Sequence, residues 1–251
     1  MNLITFKSIK YFQSNLFKKH NFIHSFFTKR YEKNVPIELE NELILNSNIN
    51  FLKQVHSNKI VQINNISDSK LKIADCLITK EKKQSLWIYT ADCMPILIAD
   101  IKTRNIAACH SGLKGLKKRI ISKTLKTFEA IGSKKDNLII AIGPSISGEN
   151  YQVKIQDVDN LINSLSGRSY IEKSPLIKSR EGDIIPLFKK DSRTDRLLFD
   201  IKAAAILELY KEDIKQHQID LDRNCTYSDP KLFNSFRRDK TNLRQWSCIY
   251  S

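Results

Sequence analysis

Leu86-Trp87-Ile88-Tyr89-Thr90-Ala91-Asp92-Cys93-Met94-Pro95-Ile96-Leu97-Ile98-Ala99-Asp100 sets two apolar runs around a short polar insert that carries one thiol. Runs of this kind read as buried strands, although periodicity alone does not separate such a strand from a buried helix. Pro95 decides against a continuous helix or central ladder, because it lacks an amide donor and restricts the residue before it. The stretch therefore predicts a strand that breaks or bulges at Asp92-Cys93-Met94 and then resumes. Breaks of this kind re-aim side chains and recur beside active sites. Cys93 is expected to point into a pocket there, in the company of two distant histidines.

Working outward, Phe51-Leu52-Lys53-Gln54-Val55-His56 reads as a strand ending at a histidine, with Lys59-Ile60-Val61-Gln62-Ile63 as its continuation or partner. Ala74-Asp75-Cys76-Leu77-Ile78-Thr79 starts another strand, and Ile106-Ala107-Ala108-Cys109-His110 is a buried one that runs into Ser111-Gly112-Leu113-Lys114-Gly115. Residues 116–131 place Leu116, Ile120, Ile121, Leu125, Phe128 and Ile131 at helical spacing, with Gly132 as the terminator. Leu138 to Ile142 reads as a strand, and Gly143-Pro144-Ser145 as its turn. Helices are expected over 154–165 and over 200–216, the second capped by Asp200, with a mixed loop region over 166–196 and a last strand near Trp246. Residues 1–30 read as one or two strands ending in Phe26-Phe27-Thr28-Lys29-Arg30, and 31–49 as a loop with a short helix. There is no repeat, low-complexity tract or linker, so the simplest organisation is one domain over 1–251.

A length of 251 residues can bury a full core. Apolar residues at 41% beside 27% charged residues are ordinary for a soluble globular protein. No apolar run approaches the roughly 20 residues that span a bilayer, which argues against a membrane partner. Five cysteines (Cys76, Cys93, Cys109, Cys225 and Cys248) form no CxxC pair and leave one over in any pairing. That pattern fits neither a secreted disulfide framework nor a zinc ribbon, and favours a reduced, cytoplasmic setting. A basic N-terminus whose first acid is Glu32 invites a transit-peptide reading, but its aromatic runs look like strands of the fold. The formal charge of +15 suits nucleic acid or a small anionic substrate. Because no helix-turn-helix, zinc-finger or RNP-like pattern accompanies that charge, nucleic acid is disfavoured, leaving an anionic substrate or the drift of a Lys-, Asn- and Ile-rich composition on solvated faces.

His56, Cys93 and His110 are the candidate metal ligands and catalytic groups, each expected at a strand end. Neutral imidazole and thiolate suit Zn²⁺, and three protein ligands leave a fourth position open. Their spacings of 37 and 17 residues match no local zinc signature, so each residue alone reads equally well as core packing. The same atoms offer a metal-free alternative, in which Cys93 is a nucleophile whose thiolate is favoured by His110. Gly112 and Gly115 with Lys114 make either an anion site or a tight turn, and Arg237 either clamps an anion or forms surface ion pairs.

Lys53-Gln54-Val55-His56, Ala74-Asp75-Cys76-Leu77-Ile78-Thr79, Thr90-Ala91-Asp92-Cys93-Met94-Pro95 and Cys109-His110-Ser111-Gly112-Leu113-Lys114-Gly115 resemble four successive motifs of one family. It is the polyphenol oxidase (laccase-domain), peptidoglycan editing factor or purine nucleoside phosphorylase family. Ala141-Ile142-Gly143-Pro144, Tyr151-Gln152-Val153 and Phe236-Arg237-Arg238-Asp239 resemble later motifs, and His24 to Arg30 its opening. The resemblance implies an α/β domain with mixed β-sheets packed between helices, of a cysteine-hydrolase-like (CNF-type) fold. It implies metal at His56, Cys93 and His110, usually Zn²⁺ and sometimes Cu²⁺. It also implies phosphorolysis of adenosine, inosine and methylthioadenosine, deamination of adenosine, laccase-like oxidation or editing of cell-wall precursors. A purine nucleoside and phosphate would then be the small-molecule partners, with Lys114 and Arg237 as candidate anion contacts. The chain departs from the pattern at Leu113-Lys114, where the family carries Trp-Arg, and at Ser145, where it carries cysteine.

Overall fold

A computed structural model describes residues 1–7, 9–29, 36–43, 46–64, 71–166, 174–178, 182 and 184–250. Its centre is a mixed six-stranded sheet in the order Ile219–Leu221, Leu138–Ile142, Met94–Asp100, Ile106–Ser111, Cys76–Thr79, Ile60–Ile63. Both faces of this sheet are covered, which is why its strands read as unbroken apolar runs. Ile96 and Ile98 point to one side, where Leu125 and Phe128 of the helix Ile120–Ala130 and Ala205 and Leu209 of the helix Ile201–Lys211 pack. Leu97 and Ala99 point to the other, against Phe12, Phe26, Leu86, Ile88 and Ile249. Each large apolar side chain buried in this way contributes roughly 1.5–3 kcal/mol.

Those five residues belong to a second six-stranded sheet, ordered Asn2–Phe6, Ile9–Gln13, His24–Phe27, Gln245–Tyr250, Gln84–Thr90, Asn48–Asn50. Its outer face carries Ile9, Tyr11, Phe27, Trp87 and Cys248 around Leu39 of the helix Ile37–Leu43. A separate three-stranded sheet formed by Gln152–Lys154, Arg196–Phe199 and Phe188–Lys190 joins the core of the central sheet through Val153, Leu197 and Phe199. No helix among the described residues is long and apolar enough to cross a membrane.

The opening stretch does more than bulge. Gln84–Thr90 belongs to one sheet and Met94–Asp100 to the other, so the chain changes sheets across Ala91-Asp92-Cys93. Contrary to expectation, the strand holding Pro95 is an inner one. Proline is tolerated because it lies one residue beyond Ile96↔Ile142, the last pair with the neighbouring strand. Its carbonyl still accepts the Gly143 N–H at 2.9 Å.

Other expectations need correcting. Residues 51–56 are not a strand; they run irregularly, with one isolated bridge between Lys53 and Ile73. The helix expected over 116–131 is two, Leu113–Lys117 and Ile120–Ala130, divided at Arg119 with φ 58°. The second of these helices is capped from outside, because Glu208 accepts from both the amide and the hydroxyl of Ser122. The first 29 residues hold three strands and the helix Asn15–Lys19. Arg30, all of 31–35 and much of 167–183 lie outside the described residues.

Candidate metal centre

Cys93 sits on the crossing between the two sheets, and the crossing is pinned by Asp92. Asp92 has φ 86°, a left-handed conformation that costs energy for a residue with a side chain. Its carboxylate accepts from the Thr226 hydroxyl at 2.7 Å and from the Arg237 amide at 2.7 Å. Its carbonyl accepts from Ile146 N at 3.0 Å. The strained turn is thus held from three distant segments, and Asp92 is a tether for Cys93, whose own side chain is half-buried.

His110 is the penultimate residue of Ile106–Ser111, opposite Pro95, and is buried. His56 stands on a turn with φ 57°, so of the three candidates only His110 lies on a strand. Asp75 organises both histidines. Its carboxylate is fully buried and accepts from the amides of Val55, His56 and Ser57 and from the Ser57 hydroxyl. It also takes the Nδ1–H of His110 at 2.9 Å. One side chain therefore shapes the turn carrying His56 and fixes the His110 tautomer, leaving Nε2 of His110 free to act as a ligand.

The result is a compact group. One ligand atom each from His56, Cys93 and His110 lies within 4.8 Å of the others. Cys93 Sγ is 3.8 Å from His56 Nε2, and the two imidazoles meet edge to face with centroids 4.8 Å apart. In a tetrahedral zinc site, S–N and N–N edges run about 3.3–3.6 Å, as follows from the usual bond lengths. Two imidazoles and a thiolate, with a carboxylate behind one imidazole, are a donor set that fits a zinc or copper ion with one position open.

The charges agree with that fit. Burial pushes the Cys93 thiol up, but the imidazolium of His110 and the hydrogen bonds of both histidines bring it down to about 6. Burial lowers His110, and Cys93 and Asp75 more than reverse this, raising it to about 9. Burial also raises Asp75, yet the hydrogen bonds of His110 and Ser57 bring it to about 2. A thiolate ready for metal therefore sits beside an imidazolium whose proton must leave when metal binds.

Glycine at 112 is a requirement of this geometry. A Cβ there would fall inside the 3.0 Å that real Cβ atoms keep, against Cys93 Sγ. Sequence reasoning read Gly112 as part of an anion loop or turn, and missed that it makes room for the sulfur. Asp75, read from the sequence only as part of a stretch that starts a strand, is fully engaged in positioning. The sole local sign was a lone carboxylate directly before a buried strand.

Arg237 is tied to Asp92, the neighbour of Cys93, through its backbone amide. Its guanidinium is half-buried, donates to the Gln152 carbonyl at 3.0 Å and lies 4.9 Å from the centroid of the Tyr151 ring. Tyr151 is pushed up to about 12 by burial first and then by Cys93. Lys114 is exposed on the first turn of Leu113–Lys117 and has no hydrogen bond or ion pair to the centre among the described residues. The lysine that does reach it is Lys118, whose Nζ donates to the His56 carbonyl at 3.1 Å.

Comparison with known proteins places this geometry in context. A family model described as multi-copper polyphenol oxidoreductase laccase matches residues 30–251. A purine nucleoside phosphorylase of Synechocystis is 31% identical over 244 residues, covering 91% of this chain and 89% of that protein. One from Mycobacterium bovis is 26% identical, covering 80% and 71% respectively. Among solved structures, YlmD from Geobacillus stearothermophilus superposes with a TM-score of 0.78 at 20% identity, over 94% of this chain and 93% of that one. YfiH from Bacillus licheniformis gives 0.76 at 21% identity, over 96% of each. At such identities the two structures share the mixed α/β fold.

Proposed function

The chain belongs to the multi-copper polyphenol oxidoreductase laccase family, and from that premise we propose that it is a cytoplasmic purine nucleoside phosphorylase with a metal ion, Zn²⁺ by its donor set, at His56, Cys93 and His110. The observation that carries this reading is the convergence of those three distant residues within 4.8 Å around Asp75. The names of the curated relatives supply the reaction class.

In phosphorolysis a phosphate oxygen bonds to the anomeric carbon as the bond from that carbon to the purine nitrogen breaks. The bonding pair leaves with the base, which takes up a proton. A bound divalent ion supplies Lewis acidity, polarising an oxygen and favouring its anionic form. The chain's own residues do the rest. Asp75 keeps the His110 ring in one tautomer and orientation. Arg237, with one N–H on Gln152 and its fork braced on Tyr151, neutralises phosphate. Adenosine deamination needs a carboxylate to shuttle protons. Asp75 and Asp92, the carboxylates tied to the three candidate ligands, are both committed to other hydrogen bonds. Phosphorolysis is therefore the preferred activity.

A second reading is favoured by one observation. Cys93, His110 and Asp75 line up as thiol, imidazole and carboxylate, with the Nδ1–Asp75 bond at 2.9 Å, the order used by cysteine hydrolases. The two readings part under chelation. Metal analysis of the purified protein, with phosphate-dependent release of adenine from adenosine, is the test. The phosphorylase reading expects about one metal per chain and activity that falls on chelation and in His56→Ala, Cys93→Ala and His110→Ala. Activity that needs Cys93 yet survives a chelator overturns it in favour of the hydrolase. Release of base that ignores phosphate also overturns it.

A further inference from the structure

We propose that the chain carries a second small-molecule site, apart from the His56–Cys93–His110 centre, for a planar heterocyclic anion of nucleoside monophosphate type. The site is a cavity of about 480 Å³ between the helix Asp159–Ser166 and the strands Phe188–Lys190 and Arg196–Phe199. That volume falls among pockets that enclose small organic ligands, about 300–1,000 Å³. None of its lining residues belongs to the metal centre.

Two features define the occupant. Ile162, Phe188 and Leu197 give apolar walls that suit a flat ring. Lys190, Arg193 and Arg196 supply positive charge. Lys190 and Arg193 form no ion pair among the described residues, and Arg196 only a loose one, 4.0 Å from Asp195. Of the two carboxylates in the lining, Asp191 already accepts from the Gln152 side chain at 2.8 Å and from Arg193 N at 2.9 Å. Asp159 accepts from Asn160 N at 2.7 Å. Three cations against two carboxylates leave the lining positive, with Arg193 already acting on Asp191, and an apolar slot beside Lys190 and Arg196 suits a flat ring that carries an anionic group, as in a nucleotide.

The cavity has a route to the metal centre. Arg196 Nη1 donates to Gln152 Oε1 at 3.3 Å, while the Gln152 carbonyl holds Arg237 at 3.0 Å. An occupant that draws Arg196 away would loosen the residue on which Arg237 is braced.

The test is calorimetric titration of AMP into the full chain, with adenosine and inorganic phosphate as partial probes. Binding should persist in Cys93→Ala and weaken at least tenfold in Arg196→Met and in Lys190→Met. Adenosine and phosphate should each bind at least tenfold more weakly than AMP. Lys190 is exposed, so its variant keeps the test open even if the others fold poorly. The proposal is overturned if AMP fails to bind the wild type. Binding lost in Cys93→Ala but intact in Arg196→Met and Lys190→Met also overturns it, by placing AMP at the metal centre.

Discussion

One methyl group on Gly112 puts the metal centre to a sharp test. The backbone there has φ −98° and ψ −169°, which any residue adopts, so Gly112→Ala meets no backbone penalty. The obstacle is space. The new Cβ would lie within 3.0 Å of Cys93 Sγ, 3.5 Å from Cys93 Cβ and 3.9 Å from His56 Cδ2. Ordinary contact lies near 3.5–4.0 Å, so the sulfur must retreat by on the order of 1 Å. Rotation about χ1 allows that retreat at modest cost. Overpacking costs about 1–3 kcal/mol, partly offset by the roughly 0.4–1 kcal/mol that losing a glycine removes from the unfolded chain's entropy.

Metal binding has far less tolerance. Ligand distances hold within about 0.2 Å, so a sulfur moved by about 1 Å no longer serves as the third ligand. A loss of about 100-fold in zinc affinity, near 2.7 kcal/mol, is expected, while the metal-free protein melts within a few degrees of wild type. Competition with a chromophoric chelator reads the first quantity and thermal unfolding with excess chelator the second. Gly115→Ala is the control. Its Cβ would meet Ser111 Oγ at 3.2 Å and Ile120 Cγ2 at 3.3 Å, so it should tax folding and spare metal affinity. Wild-type zinc affinity in Gly112→Ala would refute the claim that this glycine exists to seat the sulfur.

Three further outcomes are expected. Asp75→Asn keeps the shape but turns one acceptor oxygen into a donor among the amides of residues 55–57; zinc affinity should drop about 10–100-fold in the same competition assay. Asp92→Ala removes the bonds to Thr226 and Arg237 at φ 86° and should lower the melting temperature by about 5–10 °C, with Asp92→Asn retaining part of the difference. His24 is fully buried, accepts from Ser14 N and donates to the Phe22 carbonyl, and burial lowers it from 6.5 to about 4. The unfolded chain therefore takes up a proton first as pH falls. Stability is unaffected above pH 6.5 and declines by about 3 kcal/mol between pH 6.5 and 4, a slope that urea titrations should find flattened in His24→Gln. The Cys93–His110 pair adds little slope there, since moving one proton from sulfur to nitrogen leaves the proton count of the folded state unchanged.

Local pattern sufficed where burial is uniform and failed where a distant group sets the backbone. Ile96, Leu97, Ile98 and Ala99 read as a strand because both faces of that sheet are covered, so no polar residue interrupts the run. Phe51 and Val55 carry similar apolar character yet stand 41% and 44% exposed, so their pattern imitated a strand without the burial that makes one. The candidate ligands were recognised by side-chain chemistry and by resemblance to a family, whereas their geometry was hidden. His56, Asp92 and Arg119 all take positive φ without being glycine, and no local rule announces such residues. For two of them the structure shows the compensating bonds. His56 hangs on Asp75, 19 residues on, and Asp92 on Thr226 and Arg237, more than 130 residues away. The same Asp75 orients His110, 35 residues further along. Strain at the centre is thus met by bonds from remote segments, and a candidate site assembled in this way comes together only once both sheets have closed. Loss of Asp75 should accordingly disturb the His56 turn and the His110 ring together, and restoring either one alone should not rebuild the site.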